Sequence, residues 1–393
     1  KSLLSNSYGS YNTSVGTCAL YSNSAGVQNT AIGHLALRNN TASNNTAIGD
    51  SALRCNSTGT LNVAVGGNSL CANVVGRNNT AVGFDTLRQN TASNNTAVGY
   101  CALRNNTTGY SNTGLGNQAL RDNTTGIQNT SVGFAALAKN TTGLRNSAFG
   151  DLSLFNNTTG GYNSALGRAS LYGNVDGTNN VSVGFYSLLS NTNGSNNTAI
   201  GSQALRLNTA SNNTAVGFCA LRSNTTGTYN TAVGSAALYS NVGGINNTAI
   251  GYNALVTSTA SNNTAVGNRT LLSNTTGTNN VGVGVNALYC NTVGTNNTAL
   301  GYSSLFSNTA SNNTAVGFCA LRSNTTGCLN TAVGYSAMRS NTTGTNNSAL
   351  GEAALRDNLT GVFNVALGSA ALILNTAGSN NVAVGRSALF NNK

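Results

Sequence analysis

The word N-T-A-V-G, or a close variant of it, returns 23 times between Asn12 and Asn381, 17 residues apart except for five intervals of 16. A chain that restarts this often has no room for a helix-and-sheet domain inside one period. It can only repeat one small unit and stack the copies. The consensus is N-T-A-V-G-x-x-A-L-x-x-N-T-T-G-x-x, numbered here as positions 1–17. Position 1 is always Asn (Asn12, Asn95, Asn213, Asn313), and position 5 is always Gly (Gly99, Gly217, Gly317). Position 9 is Leu (Leu103, Leu221, Leu321) except at Met338, and position 12 is Asn (Asn106, Asn224, Asn324) except at Ser258.

Two glycines and several Asn and Thr per period break any apolar 3.6-residue pattern, so helices are excluded. What remains is two short pieces, T-A-V-G and x-A-L-x, which read as short strands. Alternation in the first piece predicts positions 2 and 4 inside, beside the position-9 Leu. Positions 3 and 8, which hold only small residues, then point outward, either against a second chain or at a pinched edge of the coil. One Val and one Leu per coil cannot offset the ordering of 17 residues, so cohesion must come from coil lying on coil. The expected fold is all-β: a parallel β-solenoid of about 23 coils over one continuous array, residues 1–393, roughly 110 Å long at the usual strand spacing. Identical Asn side chains would then stack into hydrogen-bonded ladders. The five short copies read T-A-S-N-N where the others read T-T-G-x-x-N, and the turn Gly is read as the missing residue.

The words NTAVG, NTAIG, NSALG and NVAVG, followed by AL, resemble the head repeats of YadA-like trimeric autotransporter adhesins. They are also similar to the repeat arrays of bacterial, phage and giant-virus tail-fibre-like proteins. The resemblance runs from Asn12 to Phe390. It implies left-handed parallel β-rolls, usually trimeric, that serve as rigid fibres or adhesive heads on a cell or virion surface.

Catalytic groups are scarce. His34 is the only histidine, and the seven acids (Asp50, Asp85, Asp122, Asp151, Asp176, Glu352, Asp357) do not recur with the repeat. That argues against a paired-carboxylate hydrolase, and no enzyme activity or cofactor is expected. Gly282 and Gly284 lack the strand–turn–helix context of a nucleotide loop. The eight cysteines do not fall into a regular disulfide register and are read as free, partly buried thiols.

Charge offers the hint of a partner. The net charge is +11, and ten arginines, among them Arg104, Arg322, Arg339 and Arg356, occupy position 10. Aromatics such as Tyr100, Phe218 and Phe318 occupy position 6. These seven residues form a candidate surface for an anionic polysaccharide or a cell surface, with nucleic acid disfavoured. Self-association is the other expected partnership, as a homotrimer or end to end, because the repeat is in phase near both Lys1 and Lys393 with no polar cap. Three function classes follow: a structural or adhesive extracellular fibre; an ice- or crystal-binding surface built on the Thr rows at positions 13 and 14, or a non-catalytic viral shaft; and a tail-spike depolymerase, which lacks its carboxylate pair.

Overall fold

The computed structural model describes residues 1–392. They divide into two compact units, Lys1–Asn197 and Thr198 onward. Each unit is a parallel β-solenoid. The first carries β1 (Thr13–Val15) to β11 (Val181–Val183), the second β12 (Thr198–Ile200) to β23 (Val382–Val384), one three-residue strand per coil and no helix among the described residues. Within a unit like residue lies on like residue: β6 (Thr96–Val98) meets β7 (Thr113–Leu115) as Thr96 on Thr113, Ala97 on Gly114 and Val98 on Leu115.

The strand phase is the reverse of the sequence expectation. Position 3 is inside: Ala31, Ala97, Ala215 and Ala315 are fully buried, while positions 2 and 4 lie half-buried or exposed. Position 8 is inside as well (Ala36, Ala102, Ala220, Ala320), so neither small-residue row packs against a second chain. The reason is width. Leu at position 9 and the two Asn rows already fill the coil, and only a methyl-sized group fits opposite them. A Cβ on Gly114 would stand 3.3 Å from the Leu103 side chain, and the Ser131 hydroxyl at position 3 donates to the Ala136 carbonyl at 2.7 Å. Hydropathy ranks Val above Ala, but interior volume decides which one enters.

The second apolar piece is not a strand. Positions 7 and 9 of the repeat both take left-handed backbone angles, with φ of 47–53° for every position-9 Leu and for Met338. A left-handed L-residue costs roughly 1–2 kcal/mol. The alternation turns successive peptides in opposite directions along the stack: the N–H of Leu53 donates to Ser69 O in the next coil, and that of Ser51 to His34 O in the previous one. Each strained residue thereby obtains a rung on which to settle, and each position-9 side chain from Leu20 to Leu372 goes to zero exposure, while Leu389 in the last coil does not.

Position-5 Gly is demanded twice. Its φ is 119–140° throughout, and a Cβ on Gly99 would come within 2.4 Å of Gly116 O. Gly at position 15 is demanded only by approach: a Cβ on Gly109 would meet Gly126 O at 2.3 Å. In the 16-residue coils this Gly is not the missing residue. The amides of positions 1 and 12 donate to the position-15 carbonyl in long coils, as Asn95 and Asn106 do to Gly109 O at 2.9 and 2.7 Å. In short coils the same acceptor is Ala: Asn79 and Asn90 donate to Ala92 O at 2.9 and 2.8 Å. The residue lost is therefore the second Thr, position 14, and Ala takes the place of Gly.

Candidate interaction surfaces

Two Asn ladders hold the coils together. At position 1 the side-chain oxygen accepts the backbone N–H of the next Asn, as from Asn29 to Asn12 Oδ1 (2.9 Å), Asn112 to Asn95 (2.9 Å), Asn230 to Asn213 (3.0 Å) and Asn330 to Asn313 (3.0 Å). At position 12 amide donates to amide: Asn123 Nδ2 to Asn106 Oδ1 (2.7 Å), Asn241 to Asn224 (2.8 Å), Asn341 to Asn324 (2.7 Å). Both rows are buried. They are the polar interior of the molecule and have no face toward a ligand. The position-13 hydroxyls are similarly committed, Thr107 Oγ1 donating to Thr124 O and Thr124 to Thr141 O at 3.0 Å.

The flank carrying positions 6, 7 and 10 places Tyr100 with Arg104 in the first unit, and in the second sets Phe318 with Arg322, then Arg339, then Arg356 in successive coils, with Phe218 six coils before Phe318. Tyr302, Phe318 and Tyr335 form a continuous stack with centroids 5.2 Å apart and planes within 10°, and Phe84 stacks on Tyr100 at 6.0 Å. Ring faces are turned toward each other along the stack, leaving edges to solvent. Phe218 is different: its neighbours in the row are Ser202 and Ser235, and it is 57% exposed.

The arginines are unequal. Arg104 and Arg88 converge on Asp85, whose side chain is only 8% exposed, at 3.3 and 3.6 Å. Arg356 is held in a two-point bond by Asp357 (2.9 and 2.7 Å), which raises its pKa further, and Arg322 lies over the Phe306 ring at 5.3 Å. Arg339 is the one of the four whose guanidinium has no such partner among the described residues. His34 Nδ1 and Asp50 Oδ1 meet at 2.8 Å on the exposed surface. All eight cysteines are unpaired, and burial pushes the thiols of Cys71, Cys219 and Cys290 up.

The feature the sequence reading missed is the outer face of the sheet. Position 4 runs along it as an exposed aliphatic rank beside the Thr rank of position 2. In the second unit Ile200, Ile250, Leu300, Leu350 and Leu367 are 40–50% exposed. A shallow hollow of about 250 Å³ lies against Val333, Leu350 and Leu367. A signal was present in the repeat: position 3 never exceeds Ser in size, whereas position 4 ranges from Val to Leu and Phe149, and it is the outward side that tolerates change of size.

Scanned against protein-family models and searched against curated proteins, the chain has no match.

Proposed function

We propose that this protein is a structural fibre element, a stiff repeat shaft displayed on a cell or virion surface, whose exposed flank adheres to anionic glycans or to other surfaces. The observation that carries the reading is the register. The strand and corner backbone of each coil lies in register on the next throughout each stack, so stiffness belongs to the stack rather than to any one contact. Adhesion falls to the flank, where Arg339 stands uncommitted beside Arg322 and the Tyr302–Phe318–Tyr335 stack, and where Phe218, six coils before Phe318, stands exposed. Electron microscopy of the purified protein tests the first part: slender particles are expected, and globular ones would sink it. Glycan-array binding that drops in an R339A/F218A variant tests the second.

One observation favours a second reading. Thr holds position 2 in most coils, interrupted by Val63, Val181, Val281, Val365 and Val382 and by three serines, on a sheet face whose outward rows carry no charge, and a rank of that kind can match a crystal lattice. Thermal hysteresis of a freezing solution is the measurement for it, and its absence removes this alternative.

A further inference from the structure

We infer that the outer sheet face of the second unit is an interface at which a second copy of this chain packs face to face. The inference rests on reading the protein as a structural element, and it names the partner for a face that reading leaves bare. Over the twelve strands β12–β23, the two outward rows contain only Thr, Ser, Val, Ile and Leu, with no charged residue. At about 4.8 Å per strand and about 10 Å of strand width the face covers about 550 Å². The area is uncharged throughout but only about half of it is aliphatic, because nine of the twelve position-2 residues are Thr or Ser. Doubled, it gives about 1,100 Å², enough for a specific interface.

The shape is self-complementary. Bulky residues recur at every third strand (Ile200, Ile250, Leu300, Leu350), separated by pairs of smaller ones (Val216 and Val233, Val266 and Val283, Val316 and Val333). Ridges on one copy fit the Val steps of the other, as facing sheets interdigitate in a dry zipper. The geometry favours two copies over three. A closed trimer needs two inclined apolar strips on every chain, whereas here only the sheet carries an outward aliphatic residue in every coil, and the exposed aliphatics off it (among them Leu207, Val242, Val285, Val293, Leu329 and Leu359) are scattered over several repeat positions. Beyond the sheet, position 6 carries Tyr, Phe, Ser, Asn, Glu, Arg and a single Val, Val285, and position 17 is mostly Asn.

Sedimentation equilibrium on the full chain tests this. The wild type is expected at the mass of two chains. I250K/L300K, which places charges on exposed positions, is expected at one chain, with association weakened at least about a hundredfold by burial of unpaired charge. T343K, on an exposed loop position, should remain paired. Should the lysine variant fail to fold, I250A/L300A reads the same contact, with about tenfold weaker pairing expected. A single-chain mass at every concentration, a three-chain mass, or pairing unmoved by the variant that folds would each overturn the proposal. Particle length, measured by scattering on the same samples, reports on the fibre reading separately: compact monomers defeat that reading, and slender monomers defeat only the pairing.

Discussion

The coil Asn79–Asn94 has 16 residues and its neighbour Asn95–Ser111 has 17, and the two handle the same ladder differently. In the longer coil Asn106 is saturated: its amide donates to Asn90 Oδ1 (2.6 Å) and Gly109 O (2.7 Å), and its oxygen accepts from Asn123 (2.7 Å). In the shorter coil Asn90 donates to Ala92 O, and Asn73 Oδ1 in the coil before it is buried without a partner. The pattern repeats. Asn23, whose oxygen is also orphaned, precedes a 16-residue coil, and the step from Asn291 to Asn308, into another short coil, is stretched to 3.3 Å; Asn241 is orphaned for a different reason, because Ser258 stands where the next Asn of the ladder would be. Removing one residue between positions 12 and 15 draws the amide toward its own corner and away from the coil before it. Ser at position 16 offers partial compensation, Ser93 Oγ accepting the Arg77 N–H and Ser261 Oγ that of Ile245. The lesson is that the ladder is set by the number of residues in the corner as much as by the Asn itself.

The largest test of that contrast is at position 15. Gly109→Ala forces a methyl into the Gly126 carbonyl and should cost about 3 kcal/mol or more, whereas Ala92→Gly in the short coil should cost no more than about 1 kcal/mol. Native-state hydrogen exchange, which reads local opening coil by coil, distinguishes them; equal effects would mean the two corners are equivalent after all. Next comes the ladder itself. Asn106→Ala removes three bonds and strands buried partners, an expected loss of about 3 kcal/mol, while Asn73→Ala, already missing one rung, should lose about 1 kcal/mol less. Repair is smaller and of opposite sign: inserting Thr after Thr91 together with Ala92→Gly rebuilds a 17-residue corner and should raise the local opening free energy at Asn73 by about 1 kcal/mol. No gain would show that the orphaned oxygen is not the seam's weakness. The smallest effect is alkaline. Cys71 lies in the coil before the short one, and burial raises its thiol pKa, opposed by Arg54 and aided by Cys55. A thiol held protonated by the fold contributes its full stability below the ordinary thiol range and loses it as pH rises through the raised value. Cys71→Ala should flatten that alkaline decline, and an unchanged pH profile would place the loss elsewhere.

The period, the first of the two expected strands and the two Asn rows were legible because the chain repeats them without exception or nearly so, whereas the x-A-L-x piece was read as a strand and is not one. Burial of Leu103, Leu221 and Leu321 followed from the same constancy. The phase of the strand was not legible from apolarity, since Ala97 and Val98 are both apolar and only the space left by Leu103 decides between them. The left-handed angles at Leu were hidden for a related reason: nothing in a side chain that normally avoids φ near 50° announces that cross-coil rungs will impose it. On the flank, the rows at positions 6 and 10 were visible as rows, but Arg104 and Arg356 read as free charges until the structure set Asp85 and Asp357 against them.

None of the bonds described above reaches beyond the adjacent coil, and this locality bears on how such a gene can change. The stretch NTASNNTAVGFCALRSNTTG stands at 208–227 and again at 308–327, 100 residues and six whole coils apart. A crossover between those two copies would excise six coils and join Thr214 directly to the strand environment of Thr314, with the same neighbours, the same rungs and the same short-coil seam. Length is therefore the property of this molecule least tied to its fold. Related genes are expected to differ by whole coils, often in steps of the 50 residues that separate successive T-A-S-N-N corners at 209, 259 and 309, while the residues within each coil hold still.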